Sequence, residues 1–167
     1  DPHTYLKIKG EFTYAMNQKP EYYWFNLTVE RYLMGDKIDP EKMSNINYPS
    51  GDINDRKAKI WPFKIHKAKQ PYDKKLNTIL PVVTAGEGGY WQKFDWKKAL
   101  QLGAEQNKTE FSGEYGFAET QMFWPLSHMV SPAKDSLGCN DCHGNPSRMD
   151  WKALGYSGDP EIGRAHV

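Results

Sequence analysis

The sequence predicts an α+β, loop-rich chain, with antiparallel β pieces in its N-terminal half and short helices in its C-terminal half. Three observations carry this. Residues 5–14 alternate with period two, placing Leu6, Ile8, Gly10, Phe12 and Tyr14 on one side and Lys7, Lys9 and Glu11 on the other. That is the pattern of a strand or bent hairpin with one wet face. After Asp95, a candidate N-cap, Trp96, Ala99, Leu100 and Gly103 recur at 3–4 spacing, which sets one apolar helix face. Gly, Pro, Asn and Asp interrupt the chain throughout, so the elements are short.

In order, residues 20–26 form an aromatic run, and 27–34 fit one short strand or a helical turn closed by Gly35 and Asp36. Turn formers dominate from Asp39 to Asp55. Their carboxylates lack the calcium-loop pattern ending in Glu, so a plain surface loop is the preferred reading. Residues 60–65 lead to His66, with Lys57, Lys59, Lys64, Lys67 and Lys69 around it. This basic strip reads either as a solvated strand face or as an axial ligand among lysines that neutralise carboxylates. Residues 71–84 read as irregular or edge strand, and 86–89 as a flexible turn without phosphate-loop spacing. Residues 118–130 are the most apolar stretch, divided by Pro125 and carrying His128; a short helix with an Asp cap and a Gly stop is expected over 150–155. Arg164 to Val167 reads as a frayed tail. The whole is read as one domain, β-rich or irregular over 1–85, helical over 86–160, with 161–167 as tail.

Composition bounds the function. The chain has 167 residues and a net charge of +1 with acids and bases mixed, so neither nucleic acid nor a charged membrane surface is indicated as partner. No run of 18 apolar residues is present to span a membrane. Leu, Ile and Val together number 23, no more than Phe, Trp and Tyr, so the aliphatic filling of a core is thin. A large flat apolar group would fill it; the other reading places the aromatics half exposed at loops or a subunit contact.

The two cysteines stand at Cys139 and Cys142, followed by His143. C-x-x-C-H lets two thiols join the vinyl groups of one haem while the histidine ligates its iron. Two other chemistries use such a pair. A thioredoxin-like dithiol belongs in a βαβ unit, which is not found here, and zinc would need further ligands in a less awkward arrangement. One covalent haem c is therefore expected in the C-terminal half, with Cys139, Cys142 and His143 as its binding residues. Haem attachment takes place outside the bacterial cytoplasm, so a periplasmic or other extracytoplasmic location is expected. The start at Asp1, Pro2 and His3, with no leader, reads as a processed chain or part of a longer one. Six-coordinate iron needs a second donor beside His143. His66 and His128 are the candidates in structured contexts, with His3, His166, Met122, Met129 and Met149 in reserve. Such a surplus points to haems held by another stretch of polypeptide.

The phrases PEYYWFN from residue 20, ERYLMGDKIDP from 30, NYPSGDIND from 47, IWPFKIHKAKQPYD from 60, EGGYWQKFDW from 87, YGFAETQMFWPLSHMV from 115, CNDCHG from 139 and RMDWKALGYSGDP from 148 carry a resemblance. They resemble the C-terminal part of the octahaem tetrathionate reductase family of multihaem c-type cytochromes. The resemblance implies a multihaem-cytochrome-like fold and a periplasmic electron-transfer enzyme, whose eight haems lead to one catalytic haem acting on substrates such as tetrathionate, nitrite and hydroxylamine. It implies that Cys139, Cys142 and His143 hold one of those haems, and that His66 and His128 supply axial ligands to it or to neighbours. Seven of the eight motifs and the lysine-ligated catalytic haem are missing from these residues, so no catalytic residue is assigned and the chain's own enzymatic activity stays open. Its partners would be the missing multihaem portion or another haem-carrying polypeptide, and a redox partner cytochrome. The alternative is a stand-alone monohaem cytochrome with an open or weak axial site for a small ligand or substrate. A structural role without haem would give colourless protein.

Overall fold

Strands alternate with tight turns through most of the chain, as the scattered Gly, Pro, Asn and Asp require. The computed structural model describes residues 15–16, 18–128 and 131–160, together with the backbone of 5–6 and 10–11. Positions 7–9 and 12–14 of the expected first strand, the expected tail, His3, Met129 and His166 lie outside the described residues. In chain order the elements are β1 (Tyr5–Leu6), β2 (Gly10–Glu11), β3 (Glu21–Phe25), β4 (Val29–Arg31), β5 (Ser44–Asn45), β6 (Asn47–Pro49), β7 (Lys59–Asp73), β8 (Thr78–Ile79), α1 (Tyr90–Lys93), α2 (Trp96–Asn107), β9 (Tyr115–Pro125), a 3₁₀ turn (Ala133–Asp135) and α3 (Cys139–Cys142). β1 pairs with β2 and β4 with β6, all antiparallel. The larger sheet runs β3-β7-β9-β5, with β8 added to β7. The α+β class therefore holds, with one addition. The apolar stretch around Met122 is part of the 11-residue strand β9, inside the half where short helices were expected.

The chain divides into two compact units. One comprises Asp1–Gln18, Tyr32–Ser44 and Lys67–Thr120, the other Lys19–Arg31, Asn45–His66 and Gln121–Val167. In the first, α2 is capped as its sequence required: the Asp95 side chain accepts a hydrogen bond from the Lys98 amide at 3.1 Å. Its face of Ala99, Leu100, Gly103 and Ala104 is buried. Gly103 has no room for a side chain, since a Cβ there would run into the Pro81 carbonyl. The end of β7 and β8 form a hairpin with Tyr72 opposite Ile79, whose turn is held by the fully buried carboxylate of Asp73.

The other unit is built on aromatic residues. β3 lies antiparallel to the first half of β7, with Tyr23 opposite Trp61 and Phe25 opposite Lys59. Successive strand residues point to opposite faces. Tyr23 and Phe25 thus join Phe63 and Phe123 in a core where Val29, Tyr48, Trp61 and Ile65 also pack. The rings meet edge to face: Tyr23 and Phe123 at 5.1 Å, Tyr48 and Phe123 at 5.0 Å, Phe25 and Phe63 at 5.4 Å. Each such pair contributes about 0.5–1.5 kcal/mol beyond the area it buries, which is how a chain poor in aliphatic residues closes a core. Asn47 ties β6 to β9 by mimicking a backbone, accepting from the Phe123 amide at 2.6 Å and donating to its carbonyl at 3.0 Å. The 39–55 stretch, expected as a plain surface loop, is a loop only in part, since β5 and β6 lie between its turns. Asp52 and Asp55 accept from the backbone amides of Asn54 and Lys57, each closing a turn through its side chain.

Candidate functional site

Cys139, Asn140, Asp141 and Cys142 form the single turn α3. Asp141 accepts from the Gly138 amide at 2.7 Å and so closes the start of the turn. The His143 amide donates to the Cys139 carbonyl at 2.9 Å, which completes one helical hydrogen bond. Residues three apart on a helix share a face, so the two-residue spacing puts both sulfurs on one side. Neither is in a disulfide, and Cys139 is exposed and Cys142 half-buried. His143 then leaves the helix with extended backbone. Gly144 follows at φ +92°, a conformation for which glycine is the natural residue.

The chain beyond folds back on the motif. The Ser147 hydroxyl donates to the Cys142 carbonyl, and the Arg148 amide to that of Asp141. Asp150 caps one turn by accepting from the Ala153 amide, and Gly155 at φ +90° stops it there. Residues 150–155 thus make a capped turn rather than the short helix expected, because the glycine ends the run before a second turn can form. That turn is fastened to the outer face of β3. Trp24 donates from Nε1 to the Leu154 carbonyl at 2.8 Å, and its ring lies 6.3 Å from Tyr156. Arg148 stands 5.8 Å above the Tyr22 ring. Burial, partly opposed by the Arg148 guanidinium, pushes the Tyr22 phenol above its ordinary value, so it stays protonated and neutral. Trp151 is stacked on the His143 imidazole, 5.0 Å between centroids and 17° between planes.

His143 is oriented by a residue the sequence reading passed over. Asp159, whose side chain is 5% exposed, lies with Oδ1 at 2.7 Å from His143 Nδ1 and accepts from the Gly144 amide with Oδ2 at 2.6 Å. With Nδ1–H donated to a carboxylate, Nε2 carries the lone pair a metal needs. Two thiols on one face and a histidine with its Nε2 free fit a covalently bound haem c. Zinc fits less well: among the described residues no group of three or more His, Cys, Asp or Glu side chains is gathered that could hold a metal ion. A cavity of about 620 Å³ opens alongside, with walls that include Tyr22, Tyr48, Arg148, Met149, Trp151 and Asp159.

The two further histidines stand apart from this arrangement. His66 is exposed on β7, its ring 6.0 Å from that of the half-exposed Trp124 on β9. His128 is exposed beyond the end of β9. No hydrogen bond, ion pair or ring contact joins either to the motif among the described residues.

Comparison with known proteins bears on the same residues. The sequence profile of the family described as cytochrome c bacterial matches residues 1–146, which include the whole motif. No curated protein matches. Among solved structures, the octaheme cytochrome c from Shewanella oneidensis is 49% identical over 97% of this chain, with a TM-score of 0.88. The chain covers 39% of that protein's length. No helix among the described residues is long and apolar enough to cross a membrane. The thiol pair, the oriented histidine and the profile that spans them agree: this chain belongs to the bacterial cytochrome c family and takes haem c as its prosthetic group.

Proposed function

We propose that the chain is an electron-transfer module of a periplasmic multihaem reductase of the tetrathionate, nitrite or hydroxylamine type. One observation carries this reading: a chain with one C-x-x-C-H motif is 49% identical, over nearly all its length, to part of a protein named for eight haems. Bound haem supplies a one-electron couple at its iron. Cys139 and Cys142 anchor it, and His143 is the proximal ligand. His128 or His66 is the second axial donor, to this haem or to one on a neighbouring polypeptide. The exposure of both histidines suits donation outward, and Lys64 beside His66 supplies positive charge for an approaching propionate. The cavity beside Trp151, walled by Tyr22, Tyr48 and Arg148, suits the edge of a neighbouring haem-bearing partner.

The test is the intact mass and haem count of the isolated chain, with identification of any co-purifying polypeptide, followed by ligand challenge. One haem and a low-spin spectrum indifferent to cyanide are expected. A spectrum that shifts at once with cyanide or nitric oxide shows an open axial position, and the stand-alone ligand-binding cytochrome is then the better description. His66→Ala and His128→Ala each examined without a partner haem locate the second donor. If both leave the low-spin spectrum intact, neither completes this iron.

A further inference from the structure

We propose that Asp159 sets the reduction potential of the iron held by His143, by drawing the Nδ1 proton of the ring toward itself. This rests on the reading of His143 as proximal ligand. The distance of 2.7 Å lies in the range of charge-assisted hydrogen bonds. The carboxylate is almost wholly removed from water, so its charge acts with little screening. The Gly144 amide on Oδ2 at 2.6 Å keeps the same carboxylate from turning away, and Trp151 stacked on the imidazole face limits rotation of the ring about its Cβ–Cγ bond. A carboxylate partner raises the basicity of a metal-bound imidazole. A more electron-rich ligand, with a negative charge close behind it, favours the ferric over the ferrous state and lowers the potential. A backbone carbonyl in the same place would orient the ring without supplying the charge, which is why a carboxylate here is more than a positioning device.

Asp159→Asn removes the charge while its amide oxygen still accepts from Nδ1, although its NH₂ then faces the Gly144 N–H, so the variant is read together with Asp159→Glu. In the haem-loaded full chain, spectroelectrochemical titration should show the ferrous form of Asp159→Asn favoured by about tenfold relative to wild type, the order of effect that outer-shell partners have on metal sites. That is roughly 59 mV upward for one electron. Asp159→Glu, which keeps the charge, should remain within about threefold of wild type. The visible spectrum should stay low-spin in both. A merely structural role would lower haem content or thermal stability and leave the potential of the haem-loaded fraction where it was. If Asp159→Asn fails to assemble, the unaltered protein still decides. The His143 Nδ1 proton, followed by NMR in the ferrous form, should exchange slowly with solvent, and exchange as fast as in free imidazole would overturn the proposal. His143→Ala checks the underlying reading separately. Loss of the wild-type spectrum there, with an unchanged potential in Asp159→Asn, sinks the role of Asp159 alone. Retention of that spectrum sinks the ligand reading itself.

Discussion

Replacing Asp73 by Asn should unfold the unit that holds it more than any other single polar change there. Asp73 is completely buried, and its two oxygens take four donors. The amides of Lys75 and Leu76 and the Ser112 hydroxyl reach Oδ1 at 2.9 Å each, and the Ser112 amide reaches Oδ2 at 2.6 Å. An asparagine keeps one acceptor oxygen. If it stays on the turn side, the new NH₂ faces the Ser112 N–H; if it flips, the Lys75 and Leu76 amides lose their acceptor. Either way a bond to a charged group is lost, about 1.5–3 kcal/mol, and a buried donor is left without a partner, about 1–3 kcal/mol. The sum, roughly 2.5–6 kcal/mol, is a large part of the ~5–15 kcal/mol that holds a typical domain. Guanidinium unfolding followed by tryptophan fluorescence should show a lower midpoint with an unchanged slope. A loss below about 1 kcal/mol at neutral pH would refute the assignment.

The same residue predicts a pH dependence. Burial alone raises the Asp73 carboxyl, but the donors from Ser112, Leu76 and Lys75 outweigh it and bring the group below its ordinary 3.8. The folded protein then binds fewer protons there than the unfolded chain, so stability rises with pH across that range. The contribution is fully present above 3.8 and is lost as pH falls through the lowered folded value. The gap between wild type and Asp73→Asn should therefore narrow on acidification below 3.8, and a gap that widens there contradicts the account.

Trp24→Phe removes the donor to the Leu154 carbonyl, in a residue only 4% exposed, and should cost about 1–3 kcal/mol together with a lower haem content, because that bond fastens the turn carrying Trp151; unchanged haem content would show the turn to be held elsewhere. Gly103→Ala gains about 1 kcal/mol of helix propensity but drives a Cβ into the Pro81 carbonyl, so the melting temperature should fall, and a stabilised variant would mean that the helix and the Pro81 backbone move apart freely. Replacing both Cys139 and Cys142 by Ser should leave any haem extractable by acidified acetone, whereas extraction from the wild type would disprove covalent attachment.

What the sequence determined by itself is what one turn of backbone can settle. C-x-x-C on a helical turn places two sulfurs on one face whatever surrounds it, and Asp95 followed by 3–4 spacing makes a capped helix, as found over Trp96–Asn107. The thin aliphatic content predicts a large flat group filling the core, or aromatics half exposed, whereas in the unit built on β3 the rings of Tyr23, Phe25, Trp61, Phe63 and Phe123 fill a core themselves. Reach across the chain was another matter. No local pattern distinguishes Asp159 from any other Asp before a proline, and it meets His143 only because residues 144–158 turn back on the motif. The stacking of Trp151, the hold of Trp24 on Leu154 and the strand conformation of β9 have the same origin. Spacing within a few residues is fixed by bond geometry, whereas a partner 16 residues away, as Asp159 is from His143, is chosen by which packing of the whole unit buries its apolar surface and satisfies its buried polar groups.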